Sequence, residues 1–264
     1  MDSTRAKWIF GWMLLAAMSS AGCDAGLTPQ AQQLLNSGKA SYAAGKDVAA
    51  IRSMNEFLAA NGRSSRADEA YYYRGLAKYR QKDIIGAQAD FHQVLQKNSR
   101  QFKVPSQKAL GDIAYERQDM GLAESMYRDA LAGMDETKPP ADEVRYRLGQ
   151  TLQRLGRWQD ADLHFSRVMY LFGDSESARR AGRLFHSTAW TVQMAAMKDK
   201  RAADALAQQY RTANQLETVV RPVPSDAGPL LAVQAGRFPT YDMAAAAMAK
   251  VRAVNPNAYV TVTK

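Results

Sequence analysis

Few side chains in this sequence could carry out covalent or metal chemistry. The chain of 264 residues has one cysteine and three histidines, which disfavours a disulfide scaffold, a zinc site or a cysteine–histidine hydrolase. It also lacks the phosphate-loop, nucleophile-elbow, zinc-protease and paired-cysteine motifs that mark common enzyme classes. Cys23 is the one thiol, and it lies directly after the small residues Ser20, Ala21 and Gly22. We therefore expect a protein that is not an enzyme and needs no metal or cofactor.

The residues before Cys23 have the features of an export signal. A short positively charged segment precedes an apolar run over residues 8–18, which is too short to span a bilayer as a mature helix. Together with the small residues before the thiol, this resembles the lipobox of bacterial lipoproteins. The resemblance implies that residues 1–22 are a signal peptide, that Cys23 is lipidated, and that residues 23–30 tether the protein to a membrane of the cell envelope, on the periplasmic side. The alternative is an ordinary secretory signal with an incidental cysteine.

The overall charge narrows the class of partner. Lys and Arg number 35 against 26 Asp and Glu, which gives a net charge of +9 and an isoelectric point near 9.6. Such an excess favours an acidic partner: nucleic acid, an anionic lipid surface or a cell-wall polymer. Export would remove nucleic acid from this set. The shares of hydrophobic residues, 46%, and charged residues, 23%, are typical of a chain that folds around a core.

A repeat of 36 to 38 residues is the strongest pattern in the sequence. Four glycines recur at this interval, an alanine follows each glycine twelve residues later, and a large apolar residue stands four positions beyond each alanine. Small residues at the first two positions let two helices approach closely, and the large side chain fills the space between them. The glycines are Gly38, Gly75, Gly111 and Gly149, the alanines are Ala50, Ala87, Ala123 and Ala161, and the large residues are Met54, Phe91, Tyr127 and Phe165.

This pattern resembles the tetratricopeptide repeat (TPR), in which each unit is a pair of antiparallel helices. The resemblance implies a mainly α fold: a TPR-type solenoid over residues 31–214, with about four repeats and then a degenerate fifth hairpin or capping helices between Ser175 and Gln215. It also implies a concave groove, lined by the first helices, that binds a protein or peptide partner. For the tyrosines of this groove, the alternative is that they seal helix–helix contacts. The side chains expected near the groove are Lys39, Tyr42, Tyr72, Tyr79, Arg80, Lys108, Tyr115, Tyr146, Gln150 and Arg154.

The composition changes after the helical region. Residues 215–229 contain three prolines and no helical period, which predicts a linker, with a short strand near Glu217–Val223 as the alternative. Residues 230–264 then predict a strand over Leu230–Phe238, a helix that begins after Thr240, and a final strand from Ala258 to Thr263. This order predicts a small C-terminal βαβ unit.

The motif Val233-Gln234-Ala235-Gly236-Arg237-Phe238, with Ala258-Tyr259-Val260 near the end, resembles half of a SPOR domain. SPOR domains bind peptidoglycan and favour glycan strands stripped of stem peptides, so the resemblance implies the same ligand here. Since the unit has half the size of a full SPOR domain, the alternative is a structural cap on the solenoid. Alternation along the strands predicts one glycan-binding face, made of Gln234, Gly236, Phe238, Tyr259 and Thr261.

Two functions compete on this basis. In the first, the protein is a cell-envelope lipoprotein and scaffold that binds peptidoglycan with its C-terminal unit and a protein partner with its groove. In the second, it is a TPR lipoprotein that serves only as a protein-binding assembly factor, and its C-terminal unit is structural. The two differ in whether the C-terminal unit binds wall material.

Overall fold

The computed structural model describes residues 26–214, 217–223, 225, 228–253 and 255–264. The predicted signal segment and Cys23 lie outside the described residues. Within the described ranges, no helix is long and apolar enough to cross a membrane. This part of the chain forms a series of helices followed by a small sheet with two further helices.

The N-terminal part is a stack of antiparallel helix pairs, as the repeat pattern predicts. The pairs are α1 (Pro29–Ala43) with α2 (Asp47–Asn61), α3 (Ala67–Arg80) with α4 (Ile84–Gln96), α5 (Lys103–Glu116) with α6 (Met120–Ala132), and α7 (Ala141–Arg154) with α8 (Trp158–Leu171). A shorter helix, α9 (Glu176–Leu184), packs against α7 and α8. The prediction of a TPR-type solenoid is confirmed.

The repeated glycines allow the two helices of each pair to touch. A Cβ atom added to Gly75 would lie 2.8 Å from the ring of Phe91, and one added to Gly149 would lie 2.5 Å from the ring of Phe165. Both rings are fully buried, as are the repeated alanines. Each repeat therefore forms a close helix crossing that one large side chain fills.

The turn inside each hairpin requires a left-handed backbone residue. Gly45 and Gly156 take this position in the first and fourth pairs, with φ of +73° and +78°. Lys82 and Gln118 take it in the second and third pairs, each with φ of 64°. A residue with a Cβ atom is strained in this conformation by about 1–2 kcal/mol, so two of the four turns store strain that glycine would relieve.

The C-terminal part is an antiparallel four-stranded sheet with two helices on one face. Its strands have the order β2-β3-β1-β4, so the two strand–helix–strand halves interleave in one sheet. The helices bury Ala203, Ala207 and Val251 against Val192 and Val233 of the sheet. The elements are β1 (Ala189–Met197), α10 (Lys200–Asn214), β2 (Thr218–Val223), β3 (Leu230–Phe238), α11 (Tyr241–Arg252) and β4 (Tyr259–Thr263).

The prediction of helices throughout Ser175–Gln215 is wrong. The chain forms β1 within this range, and β2 lies within the predicted linker, where a short strand was the alternative. The sheet therefore begins well before residue 230 and is twice the size of the predicted βαβ unit. Polar and apolar residues alternate in β1 only over Trp190–Met194, and the pattern is lost in the three residues that follow, Ala195, Ala196 and Met197. Its alanines and methionines also favour a helix.

Phe165→Ala should lower the free energy of unfolding by about 3–5 kcal/mol, because it empties the space between α7 and α8. Urea unfolding followed by circular dichroism measures the loss. The matched control is Tyr170→Ala on the same helix, whose side chain is 80% exposed and whose removal should change stability by less than about 0.5 kcal/mol. Equal losses in the two variants would contradict the role given to the buried ring.

Lys82→Gly should raise the free energy of unfolding by about 0.5–1 kcal/mol, because relief of the left-handed strain outweighs the extra entropy of glycine in the unfolded chain. Lys97→Gly is the control, since Lys97 at the end of α4 has φ of −74°; this variant should lose a similar amount of stability. Urea unfolding of both variants gives the comparison. A less stable Lys82→Gly protein would show that the turn holds no such strain.

Candidate functional site

The sheet face that α10 and α11 leave free carries a row of polar side chains. Gln193 on β1 is in register with Gln234 on β3 and with Tyr259 on β4. The Gln193 amide nitrogen donates to the Tyr259 hydroxyl at 2.6 Å, and the Gln234 amide nitrogen lies 3.4 Å from the Gln193 amide oxygen. Tyr259 is 49% exposed, whereas Gln234 is 4% exposed. The row thus offers an accessible ring at one end and amide groups that can exchange hydrogen bonds with a polar ligand.

Phe238 does not share that face, contrary to the predicted alternation. Gly236 adopts φ of +71°, and the register of β1 against β3 shifts between the Val192–Ala235 and Trp190–Phe238 pairs. This bulge turns Phe238 toward the core beneath α10 and α11, where its ring lies against Gly236. The structure therefore brings Gln234 and Tyr259 together through Gln193 and removes Phe238 from them.

A cleft of about 630 Å³ lies between α9 and the polar face. Four of its ten lining residues are cationic, and none of the ten has a carboxylate side chain. A ligand in this cleft would meet a positive field beside Gln234. The lining residues are Arg179, Gly182 and Arg183 from α9, Arg221, Pro222 and Val223 from β2, Gln234 from β3, and Val262, Thr263 and Lys264 from the end of the chain.

Two smaller clefts continue along the solenoid. The first, of about 340 Å³, lies between α7 and α9 and shares Arg183 with the large cleft; the second, of about 320 Å³, lies where α7 meets the sheet and shares Val262 with it. The three clefts together are called the junction channel below. The first small cleft is lined by Tyr146, Arg147, Gln150, Arg180, Arg183 and Leu184, and the second by Tyr115, Gln150, Gln153, Arg154, Leu184, Trp190, Tyr241, Val260, Thr261 and Val262.

The junction channel joins parts of the two predicted sites. Tyr115, Tyr146, Gln150 and Arg154 come from the predicted protein groove, while Gln234 and Thr261 come from the predicted glycan face. Burial raises the pKa of the Tyr115 and Tyr146 hydroxyls above their ordinary value. Both hydroxyls therefore stay neutral and act as hydrogen-bond donors in a positive surrounding.

Trp190 connects the solenoid to the sheet. Its indole N–H donates to the Gln153 backbone oxygen at 3.0 Å, and its ring centroid lies 5.7 Å from that of Trp158 and 5.2 Å from that of Tyr241. The Arg154 guanidinium lies 4.1 Å from the Tyr241 ring centroid and 4.6 Å from the ring of Tyr115 on the other side. These contacts set the orientation of one unit against the other.

The predicted cations in the N-terminal half of the groove are neutralised by carboxylates of the solenoid itself. Burial disfavours the charge of Lys108, but Asp112 and Glu143 together raise its pKa above the ordinary value. Apart from Lys108 with Asp112, which lies within α5, these ion pairs connect different helices, and all of them leave little free charge for a ligand. The pairs are Lys39 with Glu69 at 2.6 Å, Arg80 with Asp47, and Lys108 with Asp112 at 2.9 Å and Glu143 at 3.2 Å.

The predicted tyrosines of that half also serve the solenoid. Tyr72 packs in a ring cluster with Phe91 and Phe102, and burial raises its pKa to about 12. The Tyr79 hydroxyl donates to a Glu116 carboxylate oxygen at 2.6 Å, and burial and this bond raise its pKa. The Tyr42 ring lies 3.9 Å from the Arg80 guanidinium. In this half of the groove, Tyr42, Tyr72 and Tyr79 therefore make contacts within the solenoid, as the alternative interpretation expects.

Sequence reasoning missed Gln193, Arg147 and Arg183. Gln193 lay in the segment predicted as helical, although Val192-Gln193 repeats the Val233-Gln234 pair of the other half. That repeat was the available signal for a first strand. The two arginines carried no motif, and only the three-dimensional structure shows that neither forms an ion pair with a carboxylate of the described residues, although Arg147 lines a small cleft with Asp112 and Glu116.

Comparison with known families matches residues 186–261 to the SPOR domain. This range starts just before β1 and extends into β4, so the C-terminal unit is a SPOR domain with both of its halves. A search of curated proteins finds no match to the chain.

Solved structures similar to this chain are TPR proteins. One from Parabacteroides merdae ATCC 43184 has 14% identity and a TM-score of 0.53 over 70% of this chain and 66% of its own, just under two thirds of its length. YrrB, described as a TPR protein with an unusual peptide-binding site, has 19% identity and a TM-score of 0.49 over 58% of this chain and 75% of its own. The first of these shows that the helical repeats have the TPR fold.

Trp190→Ala should loosen the connection between the two units, because it removes the bond to Gln153 and both ring contacts. We expect faster hydrogen–deuterium exchange at the end of α7 and the start of α11, and a free energy of unfolding lowered by about 2–4 kcal/mol. Tyr241→Phe is the control, since it keeps the ring that touches Trp190 and Arg154. Unchanged exchange in Trp190→Ala would contradict the assigned role.

Proposed function

We propose that this chain is a non-enzymatic cell-envelope lipoprotein that acts as a tether or scaffold. Its SPOR domain binds glycan strands of peptidoglycan, and its TPR groove binds a protein partner. Cys23 would carry the lipid, and two or three acyl chains suffice for stable anchoring. The observation that carries the proposal is the row of Gln193, Gln234 and Tyr259 on the free face of a complete SPOR sheet, beside a cleft without acidic side chains.

The chemistry of the free face suits a glycan. Amide groups of Gln193 and Gln234 match the hydroxyl and acetamido groups of amino sugars, and the half-exposed ring of Tyr259 can lie against an apolar sugar face. Muramic acid without its stem peptide has a free carboxylate, which Arg183 can bind by a charge-assisted bond. A glycan stripped of stem peptides therefore supplies both kinds of group.

One observation favours the second candidate, a protein-binding assembly factor without glycan affinity. Phe238 points into the core, and α9 lies across the cleft from Gln234, so less of the sheet face is open than in an isolated unit. If this restriction excludes a sugar chain, the SPOR domain serves only to complete the wall of the junction channel.

The test is co-sedimentation of residues 24–264 with purified peptidoglycan sacculi at about 0.05 M and 0.3 M NaCl. The higher salt concentration screens general charge attraction, so binding that persists there has another source. We expect binding that persists at the higher salt, and at least about fivefold weaker binding for Tyr259→Ala, because a ring contact contributes about 1 kcal/mol. Tyr170→Ala serves as the matched control, because Tyr170 lies on α8, is exposed and lines none of the three clefts.

Two results would count against the proposal. Binding that disappears at the higher salt would indicate general charge attraction and would favour the assembly-factor candidate. Equal binding of Tyr259→Ala and wild-type protein would place any glycan site away from the polar row.

A further inference from the structure

The junction channel concentrates positive charge without acidic side chains. Its lining includes seven cationic residues and no aspartate or glutamate among the described residues that form it. The N-terminal half of the groove differs, because its predicted cations form ion pairs with carboxylates of other helices. Among the described cations of α7 and α9 that line the channel, Arg147 and Arg183 form no ion pair, and Arg147 also borders a small cleft that contains Asp112 and Glu116.

Arg147 and Arg183 are the cations best placed to bind a ligand. Within the described part of the chain, neither has an ion-pair partner, whereas Arg179 and Arg180 both pair with the exposed Glu176. Arg147 is positioned by the Tyr115 ring, 5.7 Å from its guanidinium, and lies 3.4 Å from the Gln150 amide oxygen. Arg183 lines both the large cleft and the cleft between α7 and α9.

The shape and lining of the solenoid part suit an extended polypeptide. The two small clefts follow α7 along the concave side, and they combine apolar walls from Leu184 and Val260 with the hydrogen-bonding groups of Gln150 and Thr261. Such a lining can hold alternate side chains and the backbone of a strand-like segment. Arginines pair with carboxylates in a bidentate manner, so the charge selects acidic side chains.

We propose that the junction channel binds an extended acidic polypeptide segment whose carboxylates pair with Arg147 and Arg183, and that this segment competes with glycan for Arg183. The inference rests on the proposed function, since it names the chemistry of the protein partner and moves its site from the whole groove to α7 and α9. Because the two ligands share one side chain and adjoining clefts, each weakens binding of the other.

The test uses fluorescence anisotropy with a labelled decapeptide of alternating Glu and Ser, and a second decapeptide in which Gln replaces Glu. We expect the Glu peptide to bind the soluble chain, residues 24–264, at least about tenfold more tightly than the Gln peptide. The double variant Arg147→Gln, Arg183→Gln should lose about tenfold or more of that affinity. Lys82→Gln, Lys97→Gln removes the same charge at exposed positions of the second repeat and should bind as the wild type does.

Each other result has a distinct meaning. Equal affinity for the two peptides, or an equal loss in the control variant, would overturn the proposed pairing. Soluble glycan strands without stem peptides should displace the Glu peptide; if they bind and leave its affinity unchanged, competition at Arg183 is wrong. Sacculus binding without peptide binding would overturn this inference and leave the proposed function intact, whereas loss of sacculus binding alone would overturn the glycan function and leave the peptide site.

Discussion

The contacts around Trp190 hold the solenoid and the sheet in one arrangement, and two of the three clefts of the junction channel depend on that arrangement. The indole donates to the backbone of α7, and its ring touches Trp158 of α8 and Tyr241 of α11. Arg154 extends the contact by lying between the rings of Tyr115 and Tyr241. The large cleft and the cleft where α7 meets the sheet have walls from both units, whereas the cleft between α7 and α9 belongs to the solenoid alone.

The charged residues of the solenoid differ between its two ends: in the first repeats they form ion pairs that connect helices, whereas two arginines near the other end form none among the described residues. In the first three repeats, buried carboxylates hold cations from neighbouring helices, as Asp90 does with Arg74 and with Lys78 at 2.8 Å. These pairs desolvate their charges and stabilise the stack only because they are satisfied on both sides. Toward the C-terminal end, Arg147 on α7 and Arg183 on α9 line the cleft between these helices, whose lining has no acidic side chain. The proposed peptide site thus lies where Arg147 and Arg183 have no ion-pair partner among the described residues.

The sequence predicts the solenoid well and the sheet only in part. Glycine, alanine and a large apolar residue at fixed spacing encode a local helix crossing, so Gly75 and Phe91 are sufficient to place it. β1 is not predicted because its alternation of polar and apolar residues is short and is followed by alanines that favour a helix. Phe238 is misplaced because the bulge at Gly236 depends on the register with β1. The ion pairs of the predicted groove cations mostly join residues from different helices, such as Lys39 and Glu69. No local pattern distinguishes a paired cation from a free one.

The central place of β1 has a mechanical consequence for a tether. A protein anchored at its N-terminal end and holding wall material with its sheet would transmit tension through the short connection between Leu184 and Ala189. That connection leads into β1, which is hydrogen-bonded to β3 on one side and β4 on the other. Tension along β1 would load both ladders in shear, so many hydrogen bonds would have to break together. An edge strand in the same position would separate from one neighbour, one bond after another.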